Sequence, residues 1–297
     1  MIIIHVMGGL GNQLCQYALY EKFKYLGKDV KLDLHDYYTT GEDKEWRQLE
    51  LDWLEGLEYE ACTEDERTLF LDSDMKTSSR IRRKIFGRKS RQVNDTGKYM
   101  PEIFDMDDVY LYGYWDCERY YDDIMLLLCK KIKFSHSDNH KNSEMIKKME
   151  SENSVSIHIR RQDYLTVADG KRYMGICTDE YYKKAMEFIE EKAPNTIYYI
   201  FSDDIEYARA HFNSENMHIV DWNTGRESMH DMEIMSHCKH NICANSTFSI
   251  WGARLNKNPH KIMVRPLKHD NYEIIDKDKI KENWKNWILI DEHGELA

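Results

Sequence analysis

The chain opens on a continuous apolar run, Ile2-Ile3-Ile4, closed by His5-Val6 and followed at once by glycines. A run that short, bounded by a turn signal, predicts a buried strand over 2–6 rather than a helix. The turn Gly8-Gly9-Leu10-Gly11 then leads into a helix-type stretch over 12–26 and a second strand over 30–34. The alternation returns in the second half. Strands over 155–159, 196–201, 218–220 and 240–244 are interleaved with helix-type stretches over 179–192, 205–212, 231–237 and 248–255. Such alternation predicts an α/β protein with largely parallel sheets. A polar stretch over 135–153, rich in Lys, Ser, Asn and His, separates the two series. The expected organisation is an N-terminal α/β domain over 1–140 and a C-terminal α/β domain over 150–270. A terminal segment over 271–297 follows, in which Trp284 and Trp287, on an amphipathic helix over 280–290, pack back onto the body.

Composition narrows the classes. Of 297 residues, 42 are Lys or Arg and 53 are Asp or Glu, a net charge of −11, while 41% are hydrophobic and four are proline. Those values exclude a disordered or collagen-like chain and argue against a general nucleic-acid binder, which needs a basic face. The longest apolar run, 124–129, is far short of the roughly 18 to 20 residues that cross a bilayer. The N-terminus has no basic start, long apolar stretch or small-residue cleavage site, so a cytoplasmic protein is expected. Seven cysteines, an odd number with no C-x-x-C pair, argue for a reducing compartment and against a disulfide framework or zinc ribbon. One segment breaks the acidic average: 76–92 carries eight Lys or Arg and no acid. It reads either as a solvated loop or as a patch for a polyanionic substrate or anionic lipid headgroups. In the lipid reading, Ile81, Ile85 and Phe86 share the apolar side of a short helix, and the chain touches the inner face of the membrane.

Ligands of open α/β sheets bind at the carboxyl ends of strands, so each strand exit is a place to look for chemistry. At the first, the glycines let a ligand approach the backbone, and Asn12 and Gln13 can cap the helix or hydrogen-bond a polar ligand. Gly9 and Gly11, with Asp33 further on, resemble part of a dinucleotide fingerprint, but Leu14 stands at the third glycine position and no P-loop pattern is present. At the second, His158-Ile159-Arg160-Arg161-Gln162-Asp163, two guanidinium groups follow a buried run. Arg matches phosphate oxygens in bidentate geometry, and Asp163 offers the alternative of a structural ion pair. At the third, Ser202, Asp203 and Asp204 read as helix caps or as acceptors for a guanine edge or ribose diol. At the fourth, Asn245, Ser246, Thr247 and Phe248 precede a helix, whose N-terminus is an anion site without a metal.

Together these segments resemble a known family. Gly-Gly-Leu-Gly-Asn-Gln-Leu, His-Ile-Arg-Arg-x-Asp-Tyr, Phe-Ser-Asp-Asp, His-x-Ile-x-Ala-Asn-Ser-Thr-Phe-Ser and the stretch from Gly113-Tyr114-Trp115 to Tyr121 are similar, over about 1–265, to the bacterial-type α-1,2-fucosyltransferases of glycosyltransferase family 11. Cys15, Gln162 and Ile250 depart from the family's usual Phe, Gly and Trp. The resemblance implies a GT-B-like fold, two Rossmann-like domains facing across a cleft, with the acceptor on the N-terminal side and GDP-fucose on the C-terminal side. It implies inverting, metal-independent transfer of L-fucose from GDP-β-L-fucose to the 2-hydroxyl of a galactose in a glycan acceptor, with no cofactor beyond that co-substrate. On the same footing Arg160 is the main cation at the β-phosphate, with Arg161 beside it or structural. His158 and Asp203 or Asp204 lie near guanine and ribose, while Asn245, Ser246, Thr247 and Phe248 surround the pyrophosphate and fucose. Gly9, Gly11, Asn12, Gln13 and Ser202 complete the donor set. Asp163 is the expected general base, or else orients Arg160.

Two other readings compete. Leu69-Phe70-Leu71-Asp72-Ser73-Asp74 leads an apolar run into D-x-D, the oxygen ligands that a metal-dependent GT-A-type glycosyltransferase would use. From a different class, the chain could be a noncatalytic nucleotide- or glycan-binding protein or a dinucleotide-dependent oxidoreductase, although the incomplete glycine pattern weighs against the last. His237, Cys238, His240 and Cys243 look like metal ligands but read as packing and capping, because the segment passes from helix to strand.

Overall fold

Parallel pairing of short buried strands decides where their carboxyl ends meet, and it does so twice in this chain. The structure, a computed structural model, describes residues 1–38, 48–166, 170–273 and 275–297. It divides into two units, Met1–Lys133 and Phe134–Ala297. Both are α/β with an all-parallel sheet.

In the first unit β1 (Ile2–His5) is buried along its whole length and lies between β2 (Val30–Asp33) and β4 (Val109–Tyr112), with β3 (Gln92–Asn94) at the edge beyond β4. The helix Leu10–Tyr25 connects β1 to β2, beginning two residues before the expected start at 12. β3 escapes a reading by hydrophobic pattern because it is three residues long with Gln92 and Asn94 exposed. β4 escapes because its tyrosines read equally as core aromatics.

In the second unit the order is β10-β9-β8-β5-β6-β7, with β5 (Ser154–Ile159), β6 (Ile197–Ser202), β7 (Met217–Val220), β8 (His240–Ile242), β9 (Met263–Pro266) and β10 (Trp287–Ile290). Side chains alternate along β5. Val155, Ile157 and Ile159 pack against Tyr181, Tyr182, Ala185 and Ile189 of the helix Asp179–Lys192. Thr178 caps that helix by accepting from the Tyr181 N–H at 3.2 Å. The opposite face of β5 is polar, and its members are paired: Ser154 Oγ donates to the Met149 carbonyl and Asn241 Nδ2 donates to Ser156 Oγ at 2.7 Å. The next residue in that row is His158.

Two expectations change. The polar stretch 135–153 is no linker along its length, because His140–Ser151 is a helix whose Met149 is buried in the second unit against Tyr199 and Met235. The segment 280–290 is not one helix. A helix Lys277–Asn283 stops and Trp287–Ile290 becomes β10, paired in parallel with β9 from Trp287 opposite Met263. The Trp-Ile-Leu-Ile run suits a half-buried strand, and Trp284 and Trp287 still meet edge-on at 5.6 Å in a cluster with Ile250, Ala253 and Ile280. Among the described residues, no helix is long and apolar enough to cross a membrane.

Candidate active site

From β5 the chain builds outward through β6 to β7, then crosses to β8 on the other side of β5 and continues to β9 and β10. Strand order therefore reverses between β5 and β8, and a crevice at the carboxyl ends is expected there. Ile159 pairs with Ser202 and Ile157 with Ile242. In-register parallel pairing makes Arg160–Arg161 and Asp203–Asp204 emerge side by side, with the segment after β8 on the other flank.

The two acids meet the two arginines. Arg160 Nε lies 3.2 Å from Asp203 Oδ2, and the Arg161 N–H donates to Asp203 Oδ1 at 2.8 Å. Arg161 Nε donates to Asp204 Oδ2 at 3.2 Å, and its guanidinium stacks 3.7 Å above the Tyr207 ring. Tyr207 is in turn held by its hydroxyl to Asp179 Oδ1 at 2.7 Å. Asp204 also caps the helix Ile205–His211 by accepting from the Tyr207 N–H, and Ser202 Oγ accepts from the Asp204 N–H at 2.9 Å. Pairs exposed to this degree are worth on the order of 1 kcal/mol or less, so their main effect is orientation. Arg161, Ser202 and Asp204 are thus engaged with one another and with Tyr207, while Arg160 is paired with Asp203. Asp163 lies in the short helix Gln162–Thr166, but its side chain lies outside the described part of the structure; the carboxylate described against Arg160 is that of Asp203.

On the β8 side, Asn245 ties several segments together. Its Nδ2 donates to the Tyr173 and His269 carbonyls, Cys177 Sγ donates to its Oδ1, and its own carbonyl accepts from Tyr164 Oη at 3.0 Å. Tyr164 stacks on Tyr173 at 5.1 Å, so the segment after β5 is tied to the segment after β8 across the switch point. Ser246 stands extended at the N-cap of the helix Thr247–Leu255, and its side chain caps no N–H. That helix start carries a partial positive charge and N–H donors suited to an anion. The Phe248 ring lies 5.8 Å from the His158 ring. Burial, together with the neighbouring Arg160 charge, pushes the His158 imidazole down to about 3, so it is neutral near pH 7. Its buried Nδ1 has no hydrogen-bond partner among the described residues, a state that native structures rarely leave unexplained.

The glycine-turn residues belong to the first unit, and there the sequence expectation needs correcting. Gln13 is fully buried, with Nε2 donating to the Gly8 and Gln48 carbonyls and Oε1 accepting from the Glu50 and Leu51 N–H groups. All four of its hydrogen-bonding positions are spent on backbone, leaving none for a donor ligand. Gly8 sits at φ +81°, where a Cβ would come within 2.5 Å of Asn12 Nδ2. The Leu10 N–H at the helix start donates to Glu50 Oε2 at 2.7 Å, so a protein carboxylate already occupies the anion position.

Sequence reasoning missed a buried ionic cluster in this unit. Asp33, at the end of β2, accepts from His35 Nδ1 at 2.8 Å, from Arg67 Nε at 3.0 Å and from Tyr110 Oη, while His5 lies between Asp33 and Asp36. Burial alone would raise the Asp33 carboxyl, but hydrogen bonds from His5, Tyr110 and His35 hold it well below the usual range. Asp33 is thus saturated and has no capacity for the ribose contact that a dinucleotide fold would need. Asp33, His35 and Cys62 bring ligand atoms within 4.8 Å of one another, yet the Arg67 guanidinium on Asp33 opposes a cation there. Asp72 and Asp74, the D-x-D acids, are likewise engaged: Asp72 with Arg82 and the Lys89 N–H, Asp74 with the Lys76 N–H and Ser79 Oγ.

Glycosyl transferase family 11 is the family whose sequence profile matches this chain, over residues 98–291. An alpha-1,2-colitosyltransferase of Escherichia coli is 28% identical over 300 residues, covering 96% of this chain and 98% of that protein. The O-antigen biosynthesis glycosyltransferase WbnK of Escherichia coli is 42% identical over 120 residues, 40% of each chain. Among solved structures, NodZ alpha-1,6-fucosyltransferase soaked with GDP-fucose aligns with 86% of this chain and 92% of its own, at 12% identity and a TM-score of 0.44.

Proposed function

The chain belongs to glycosyl transferase family 11, and from that premise we propose that it transfers L-fucose from GDP-β-L-fucose to the 2-hydroxyl of a galactose in a glycan acceptor, with inversion and without a metal. The observation that carries this reading is Arg160, paired with Asp203 at the strand-order reversal, with the helix start at Ser246 and Thr247 following the neighbouring strand β8.

In the proposed reaction the acceptor oxygen forms a bond to the anomeric carbon as the bond from that carbon to the β-phosphate oxygen breaks, and GDP leaves with the electron pair. Negative charge grows on the phosphate, and preorganised donors aimed at that charge lower the barrier. Arg160 and the N–H groups of the Thr247–Leu255 helix start supply such donors. His158, neutral and with an unsatisfied buried nitrogen, supplies a hydrogen bond to the nucleoside, and Phe248 beside it an apolar wall. The acceptor proton goes to a carboxylate, for which Asp163 is the candidate.

The colitosyltransferase relative bears on the donor. Colitose is L-fucose without its 3-hydroxyl, so the two sugars differ in one hydrogen-bonding group. A site built to bind that hydroxyl would reject the deoxy sugar strongly, whereas an apolar wall would accept both. The test is incubation with lactose and either GDP-fucose or GDP-colitose, with and without EDTA, followed by mass spectrometry and GDP release. A fucosylated product formed equally with EDTA is the expected result. Donor turnover lost with EDTA would overturn metal independence, colitosyl product alone would reassign the donor, and GDP-sugar binding without product from any galactoside would make the chain a binding protein.

A further inference from the structure

The basic segment has no part in the site above, and its surroundings divide its charges into two groups. The helix Thr77–Phe86 has no buried residue. One side is fastened to the body: Arg82 donates to Asp72, Arg83 lies 3.6 Å from the same carboxylate, and Ser79 Oγ donates to Asp74 at 3.0 Å. At 100° per residue, Arg80, Ile81, Lys84 and Ile85 fall on the opposite side. Ile81 is 55% exposed, Ile85 66% and Phe86 73%, and neither Arg80 nor Lys84 makes an ion pair among the described residues. Arg88 and Lys89 follow, also exposed.

We propose that this helix is an interfacial anchor that lays Ile81 and Ile85 into the surface of a bilayer containing anionic lipid, with Arg80 and Lys84 at the headgroups. Charge complementarity selects the partner. In a chain of net charge −11, this stretch of eight cations and no acid is where an anionic surface is attracted rather than repelled. The exposed apolar side chains separate a bilayer from a polyanion in solution, because they gain nothing from a polyanion but leave water at the headgroup boundary. Asp72 and Asp74 fix the helix with that face outward, which gives the D-x-D acids a structural task.

The test is sedimentation of the full chain with vesicles of phosphatidylcholine alone or mixed with phosphatidylglycerol. Binding to the mixed vesicles only, weakened by salt, is the expected result. Arg80→Glu/Lys84→Glu should lower the partition coefficient by at least about fivefold for each cation lost, and Ile81→Ser/Ile85→Ser should lower it at least tenfold at unchanged charge. Both variants alter exposed side chains, and circular dichroism checks that they fold. Equal sedimentation with neutral vesicles would overturn the proposal. So would undiminished binding of Ile81→Ser/Ile85→Ser, which would reduce the segment to a polyanion site. The assay uses no catalysis, so its failure is separate from that of the transferase reading.

Discussion

If Asp203 works through Arg160, the two residues must be energetically coupled, and a double-mutant cycle measures that coupling. Arg160→Ala removes a cation aimed at the charge growing on the departing diphosphate. Losing such a donor costs about 3 kcal/mol, so kcat/KM for GDP-fucose with lactose should fall about a hundredfold. Asp203→Asn keeps the side chain's shape and an acceptor for the Arg161 N–H, but removes the anion 3.2 Å from Arg160 Nε. The side chains of Arg160 and Asp203 are 26% and 18% exposed, so solvent screens the pair. After that discount the change is worth about 1 kcal/mol, or about fivefold in rate.

In the Arg160→Ala background, Asp203→Asn should then have almost no further effect, giving a coupling energy near the full 1 kcal/mol. The assay is initial-rate GDP release for the wild type, both single variants and the double variant. Additive losses would refute the reasoning: Asp203 would then be touching the donor directly, as a ribose or guanine acceptor does. Arg160→Ala retaining more than half of the activity would refute the site itself.

Three further outcomes follow from the same geometry. Gln13→Leu removes a buried amide that serves four backbone groups, so it should cost about 3 kcal/mol of stability in urea denaturation; a cost under 1 kcal/mol would mean that the loop 48–51 is held by other contacts. Burial outweighs the Asn223 hydrogen bond and pushes the Asp231 carboxyl up to about 7, so the folded state keeps a proton that the unfolded chain releases near pH 4. Stability present at pH 4 is therefore lost as pH rises toward 7. Asp231→Asn should recover up to about 4 kcal/mol at pH 8 and little at pH 4, and equal shifts of Tm at both pH values would contradict this assignment. His158, pushed down to about 3, acts with the opposite sign: its contribution is full above about pH 6.5 and is lost as pH falls toward 3. His158→Asn should accordingly flatten acid unfolding across that window in a pH-dependent Tm series, and an unchanged acid limb would show that His158 is protonated without penalty.

Legibility in the sequence followed periodicity and adjacency. β1, β2 and β5 to β8 were readable because apolar runs sit between turn signals, and the arginine and aspartate exits were readable because they follow such runs directly. β9 and β10 were not. Arg265 and Pro266 interrupt the first, and the Lys and Glu residues of 277–283 lend the second a helical pattern that stops only at Asn283. Within the site, residue types identified where chemistry lies but not how it is divided. Gln13 looked like a ligand-binding amide because amides bind polar ligands, yet it is consumed by backbone carbonyls and N–H groups 5 to 38 residues away, and the Asn245 Nδ2 likewise meets carbonyls 24 and 72 residues away. No local pattern reports those partners.

The same limit applies to acidic pairs, and it bears on function. Asp72-Ser73-Asp74 invites a metal, and Asp203-Asp204 invites a nucleoside, as long as each pair is considered without its neighbours. In the structure each pair restrains arginines: Asp72 takes Arg82 and Arg83, Asp203 takes Arg160, and Asp204 takes Arg161. A carboxylate beside a guanidinium lowers the cost of holding that charge partly buried, as Asp203 does for Arg160, and where it is hydrogen-bonded, as Asp204 is to Arg161, it also fixes the plane, which a flexible surface arginine lacks. Around 76–92 the restrained arginines turn Arg80 and Lys84 outward with two isoleucines. At the end of β5 Asp203 pairs with one guanidinium, close to a neutral histidine. Both arrangements suit an anion, but one is a face bordered by exposed apolar side chains and the other lies at the carboxyl ends of parallel strands where their order reverses. Substituting the acids should therefore affect the two functions separately: Asp203→Asn lowers transfer and leaves vesicle binding intact, and Asp72→Asn does the reverse.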